Sequence, residues 1–210
     1  MSVTTAKIRP LMVPPRRGGG SGDETEVRFI SNAMLALVML IATETMLFSA
    51  LIGSFIIFRM QAAFWPPPAQ PRLPIDITWV NTFVLMASAG TMTMALRAVH
   101  QSRQRLLRRW IAVTGILGVT FLAVQGSEWV RLVAHGLTLA SGSYGATFYL
   151  LIGLHGLHVA AGVIWLCAVA FAAQRGRYNA RNAAPVELCT VYWYFVCAVW
   201  PVLFFLVYLM

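Results

Sequence analysis

Long apolar runs alternate along the chain with short polar ones. Five runs, 29–58, 77–99, 110–130, 146–173 and 186–210, carry very few charges. Each reaches or exceeds the ~20 residues that a helix needs to cross a hydrocarbon core about 30 Å thick. A membrane barrel would instead show alternating strands of about 10 residues, and none is visible. Helices also satisfy their own backbone hydrogen bonds, which lipid cannot do for them. The pattern therefore predicts an all-α, polytopic transmembrane helix bundle of five spans over residues 29–210, preceded by a polar tail, 1–28. The tail contains PPRRGGGSGDETE. It reads as a flexible, low-complexity segment without the apolar stretch of a secretory signal, so the first span is expected to stay in the protein.

The connections have their own character. WPPPAQPRLPID, 65–76, contains five prolines, which fix φ and remove backbone donors, so a stiff extended link is expected there. HGLTLASGSYG reads as a turn-rich link. QSRQRLLRR is short enough to continue one helix beyond the membrane. Trp65, Trp79, Trp110 and Trp129 lie near span ends, where indoles favour the interface. Trp193 and Trp200 lie deeper and are expected to pack against a neighbour. Pro201 is expected to bend the last helix.

Composition agrees with the membrane reading: 59% of the residues are hydrophobic and 11% charged, too apolar for a soluble domain. The net charge is +9, and its distribution decides the topology. Thirteen of the 16 Lys and Arg fall in the tail, in the 97–109 region and in 175–181; only Arg59, Arg72 and Arg131 fall on the other side. The positive-inside rule places the N-terminus in the cytoplasm and, after five spans, the C-terminus outside. Those arginines read as anchors beside anionic headgroups, not as a nucleic-acid surface. Cys167, Cys189 and Cys197 all lie in predicted spans without CxxC spacing, and read as small buried apolar residues.

The candidate chemistry lies where polar groups enter the spans. Glu44 is near the middle of span one, where an isolated charge costs ~3 kcal/mol on insertion scales. His155 and His158 lie near the middle of span four. Three residues apart on a helix, they differ by about 60° in azimuth and share a face with Gly162. Gly153, Gly156 and Ala160 form the opposite face, a helix-packing surface of small residues. Glu44 is expected to hydrogen-bond to His155 or His158, with His158 favoured, and to share a proton with it. Glu128 and Arg131 are spaced as an interfacial ion pair. Glu187 opens span five, where a carboxylate complements the helix dipole and lies within reach of Arg175, Arg177 or Arg181. HxxH offers only two metal ligands, whereas catalytic zinc uses three and structural zinc four, so no metal or haem site is expected in the chain.

The run YGATFYLLIGLHGLHVAAGVIWL resembles the signature of subunit III of haem–copper oxidases. So do ETMLFSALIGSF, LAVQGSEW, WPPPAQPRLP, NTFVLMASAGTMTMA and the closing YWYFVCAVWPVLFFLVYL. The likeness covers about 30–210 in order and is to the short, five-helix form. It implies a non-catalytic subunit of a proton-translocating cytochrome c oxidase of the aerobic respiratory chain, in the bacterial cytoplasmic (inner) membrane. No catalytic, cofactor-binding or metal-binding residue is implied in this chain, because haem and copper belong to subunit I. The implied partners are subunit I as main contact, subunit II, membrane phospholipids including bound structural lipid, and a larger respiratory supercomplex. The implied roles are stabilising subunit I, holding lipid and supporting proton uptake. Glu44, His155, His158, Glu128 and Glu187 match acidic and histidine positions of the family. Tyr194 and Cys197 depart from it, standing where many members have His and Asp.

Two neighbouring readings share these motifs: subunit III of a quinol oxidase and an accessory subunit of nitric oxide reductase. A small transporter is a third, opposed by an odd span count that does not divide into two inverted repeats.

Overall fold

A computed structural model describes residues 31–65, 67 and 75–209. The tail 1–28, most of the proline-rich link and Met210 lie outside the described residues. Among the described residues there are five long helices and no strand: α1 (Asn32–Gln61), α2 (Ile75–His100), α3 (Gln104–Ala134), α4 (Gly142–Gln174) and α5 (Ala184–Phe204). All five are long and apolar enough to cross a membrane. The polytopic helical bundle read from the hydropathy pattern is the fold.

The helix ends extend past the apolar runs. α3 begins at Gln104 instead of 110 and ends at Ala134 instead of 130. Most of QSRQRLLRR is thus the first turns of α3, because arginine stems can lie along a helix while their heads reach water. The chain does break before it, at Ser102, whose φ of 53° is left-handed. α1 begins with Ser31, whose hydroxyl accepts from Met34 N at 3.2 Å and caps the helix. α5 runs through Pro201, and four residues later it becomes a π-helical turn, Phe205–Leu209.

α2, α3, α4 and α5 pack side by side into a four-helix core, with α2 against both α3 and α5; α1 lies outside it, against α4 and α5. Only Leu37, Phe48 and Phe55 of α1 are buried, whereas Met39, Met46 and Met60 are exposed. That inversion suits a helix facing lipid or another membrane protein.

Tryptophans and glycines set the core spacing. Trp193 is fully buried and is wedged between α3 and α4. A Cβ on Gly118 would lie 2.7 Å from its ring, and one on Gly162 would lie 2.9 Å from it. Trp129 fills the space above Gly156, where a Cβ would approach to 3.1 Å, and reaches the margin of Gly153 at 3.9 Å. The small-residue face of α4 is therefore a seat for an indole rather than for a bare helix backbone, and Ala160 is half-buried beside it. Trp129 thus packs on α4 from its place near the end of α3. Cys189 and Cys197 are buried, but Cys167 is exposed, which corrects the expectation for that residue.

One end of the bundle is tied across its loops. Gln104 Nε2 donates to the Tyr178 carbonyl, Ala180 N donates to Ser102 Oγ at 3.1 Å, and Arg108 Nε donates to Ala173 O at 3.0 Å. Arg97, Arg103, Arg105, Arg108, Arg109, Arg175, Arg177 and Arg181 are all exposed at this end.

Candidate functional site

Glu44 stands between Thr43 and Thr45, whose hydroxyls bond back to the Met39 and Ile41 carbonyls at 2.9 and 2.7 Å. Those neighbours are thus occupied on their own helix. Glu44 Oε2 lies 2.9 Å from His158 Nε2 on α4. The other ring nitrogen, Nδ1, lies 2.8 Å from the Leu154 carbonyl. A carbonyl can only accept, so Nδ1 carries a hydrogen. Nε2 and the carboxyl then share one more proton. Written as imidazole with a carboxylic acid or as imidazolium with a carboxylate, the pair has no net charge. The side chains are 21% and 12% exposed, a setting in which an isolated charge would be unfavourable and a neutral pair is not. Phe48 closes on the His158 ring at 5.3 Å, and Tyr192 Oη donates to the His158 carbonyl at 3.3 Å.

His155 takes a different direction. It is 1% exposed, stacks on Trp200 at 5.1 Å and meets the edge of Phe121 at 6.0 Å. The two histidines share a helix face, yet 60° is enough to aim one at α1 and the other into the four-helix core.

A second polar cluster lies inside that core. Glu128 is 1% exposed and makes no ion pair with Arg131 among the described residues. The Thr78 hydroxyl lies 3.3 and 3.5 Å from its two oxygens, and Gln125 Nε2 donates to Oε2 at 3.4 Å. Gln125 Nε2 also reaches Tyr208 Oη at 3.1 Å, and Asn81 Nδ2 donates to the Phe121 carbonyl at 3.2 Å. Trp200 Nε1 donates to Thr82 Oγ1 at 2.9 Å. The interfacial ion pair expected for Glu128 is replaced by burial because α3 runs further than its apolar run and Tyr208 folds over the carboxyl's neighbour. Arg131 is exposed.

Glu187 lies in the first turn of α5, as its position suggested. Its partner, however, is His100 at the end of α2, 3.4 Å away, and not an arginine of the α4–α5 loop. Sequence reasoning missed Thr78, Asn81, Thr82, Gln125 and Tyr208. The signal available was a polar stripe, Thr78, Asn81, Thr82 and Ser88, at helical spacing on an otherwise apolar span.

Among the described residues, no group of three His, Cys, Asp or Glu side chains gathers as metal ligands would. A family model described as cytochrome c oxidase subunit III matches residues 20–210. The chain belongs to the cytochrome c oxidase subunit III family. It is 33% identical to cytochrome c oxidase subunit 3 of Synechocystis sp. over 84% of this chain and 75% of that one. A probable cytochrome c oxidase subunit 3 of Mycobacterium leprae is also 33% identical, over 81% and 84%. Cytochrome c oxidase subunit 3 of Thermostichus vulcanus is 29% identical, over 84% and 87%.

The two α5 residues that the resemblance sets apart from many members have defined partners on α2. Tyr194 Oη lies 2.7 Å from Thr93 Oγ1, and Cys197 Sγ lies 3.9 Å from Ser88 Oγ and 3.8 Å from the Leu85 carbonyl. Both positions still make polar contacts between α5 and α2.

Proposed function

We propose that the chain serves as a non-catalytic core subunit of an aerobic respiratory terminal oxidase that takes electrons from cytochrome c. In this reading it stabilises the haem–copper subunit I, lies in one complex with subunit II, holds structural phospholipid and supports proton uptake. Haem and copper stay in subunit I. The N-terminus is cytoplasmic and the C-terminus outside, in the bacterial inner membrane. The collection of eight exposed arginines at one end of the bundle supports that topology. A groove of about 310 Å³ between α1 and α5, lined by Phe48, Ile52, Phe195 and Val199 with Thr45 and Ser49, suits an acyl chain.

The single observation that carries the proton-related part is the neutral Glu44–His158 pair. It joins the outlying helix α1 to the core and lies partly open at the protein surface. A proton passing between the two groups leaves the net charge of the pair unchanged. The register-fixing part of the role follows from the same bond, since a slip of α1 by one residue would separate the groups.

The test uses the purified oxidase with and without Glu44→Gln. The expected wild-type preparation shows haem absorbance, consumes oxygen with reduced cytochrome c and retains this chain. Glu44→Gln is expected to weaken retention of the chain or to lower sustained turnover. Turnover with quinol alone, consumption of nitric oxide, or a colourless lone protein would replace the reading. Unchanged assembly and turnover in Glu44→Gln would remove the role given to the pair.

A further inference from the structure

The cluster around Glu128 holds several buried polar atoms that have no hydrogen-bond partner among the described residues. Asn81, Gln125 and His155 are 1%, 2% and 1% exposed. Asn81 Oδ1, Gln125 Oε1 and both ring nitrogens of His155 have no hydrogen-bond partner among the described residues, and neither has the nearby Trp129 Nε1. Four of the donors nearby are already committed: Asn81 Nδ2 to the Phe121 carbonyl, Gln125 Nε2 to Glu128 and Tyr208, Trp200 Nε1 to Thr82, and Thr82 Oγ1 to the Thr78 carbonyl. These residues form one contiguous patch. Asn81 bonds to the backbone of Phe121, one turn before Gln125, and the Phe121 ring lies against His155.

An ionised Glu128 would place a charge in a buried cluster that already holds two orphaned amide oxygens. It would also stand without a cation within ion-pair distance among the described residues. The titratable and charged groups of the surrounding elements are few. Asp76 in the first turn of α2 and Arg131 on α3 are exposed. α4 contributes His155 and Tyr144, and the end of α5 contributes Tyr208, all three buried. The contacts made to Glu128, 3.3 to 3.5 Å, are long beside the ~2.5–2.9 Å of bonds to a carboxylate. A protonated carboxyl removes the charge and adds an O–H donor. A buried water typically makes about 3 hydrogen bonds to buried polar groups lacking partners.

We propose that the core of α2–α5 contains a closed proton-and-water site, in which Glu128 is a neutral carboxylic acid and bound water serves the oxygens of Asn81 and Gln125 and the imidazole of His155. The site is separate from the Glu44–His158 pair. There, histidine and carboxyl share a proton at the protein surface; here, the acid keeps its own proton, and water takes the place of a basic partner.

The experiment is infrared spectroscopy of the purified oxidase complex, comparing wild type, Glu128→Gln and Glu44→Gln. One protonated-carboxyl band is expected to vanish in Glu128→Gln and to persist in Glu44→Gln. If Glu128→Gln fails to assemble, Glu128→Asp provides the comparison, because the shorter acid is expected to shift that band. High-resolution density of the complex is expected to show at least one ordered water bonded to two of Asn81, Gln125 and His155. A spectrum in which neither Glu128 variant moves a protonated-carboxyl band overturns the proposal, and so does density that leaves those three side chains without water.

Discussion

Glu44 and Glu128 are both intramembrane carboxyl groups, but they solve the same electrostatic problem by different means. Glu44 lies on the outlying helix, partly open, and has a histidine at 2.9 Å. Glu128 lies in the core, 1% exposed, and its hydrogen-bond partners among the described residues are the neutral side chains of Thr78 and Gln125. At the surface, one good partner is enough, because the bond sets both charge and register. In the core, the acid depends on a network drawn from three helices, and the surrounding packing holds that network in place. The seam at α1 is therefore a local joint, whereas the Glu128 cluster is part of the bundle's architecture.

The comparison breaks first at the packing. Trp193→Ala empties the space between Gly118 and Gly162 and removes the indole donor that Ser88 Oγ accepts from at 3.1 Å. The expected loss is ~3–5 kcal/mol, the usual range for truncating a buried aromatic. It should appear as a large fall in thermal stability of the purified complex or as failure to accumulate. Glu128→Ala comes next. It removes one acceptor of Thr78 and one acceptor of Gln125 in a buried site, with an expected loss of ~1–3 kcal/mol. Thermal unfolding should separate it from Glu128→Gln, which keeps shape and polarity and is expected to cost less. Equal losses for the two would mean that cavity volume, and not the hydrogen-bond network, determines the site.

The helices were legible because twenty apolar residues in a row leave few alternatives. Their ends were not, since Gln104 to Arg109 look like loop residues by charge and yet form helix turns with their heads at the surface. The same misplacement put Glu128 at an interface. Once α3 is extended to Ala134, the carboxyl falls well inside the helix, and the residues that bury it come from α2 and the tail of α5, distant in sequence. The Glu44–His158 bond was legible because both groups are rare in spans and lie at similar depth. The separate direction of His155 was not, because helical azimuth does not say which neighbouring helix each ring meets. Glu187 found His100 rather than an arginine since the end of α2 adjoins the start of α5, a fact of packing that no spacing within one segment encodes.

The smaller effects sharpen the contrast. A double-mutant cycle of Glu44→Gln with His158→Gln should give a coupling of ~0.6–2 kcal/mol, the range for hydrogen bonds between membrane helices. Coupling between Glu44→Gln and Glu128→Gln should be near zero, because the two groups share no partner. A sizeable coupling between them would mean that α4 transmits strain from the seam to the core, and the joint would no longer be local. Smallest of all is Glu187→Gln, which removes the 3.4 Å contact with His100 where the side chains are 37% and 50% exposed. At that exposure solvent screens the pair, and a loss below about 1 kcal/mol is expected. Thermal unfolding at low and high salt provides the check: the Glu187→Gln difference should shrink as salt rises, while the Glu44–His158 coupling, set within the membrane and net neutral, should not.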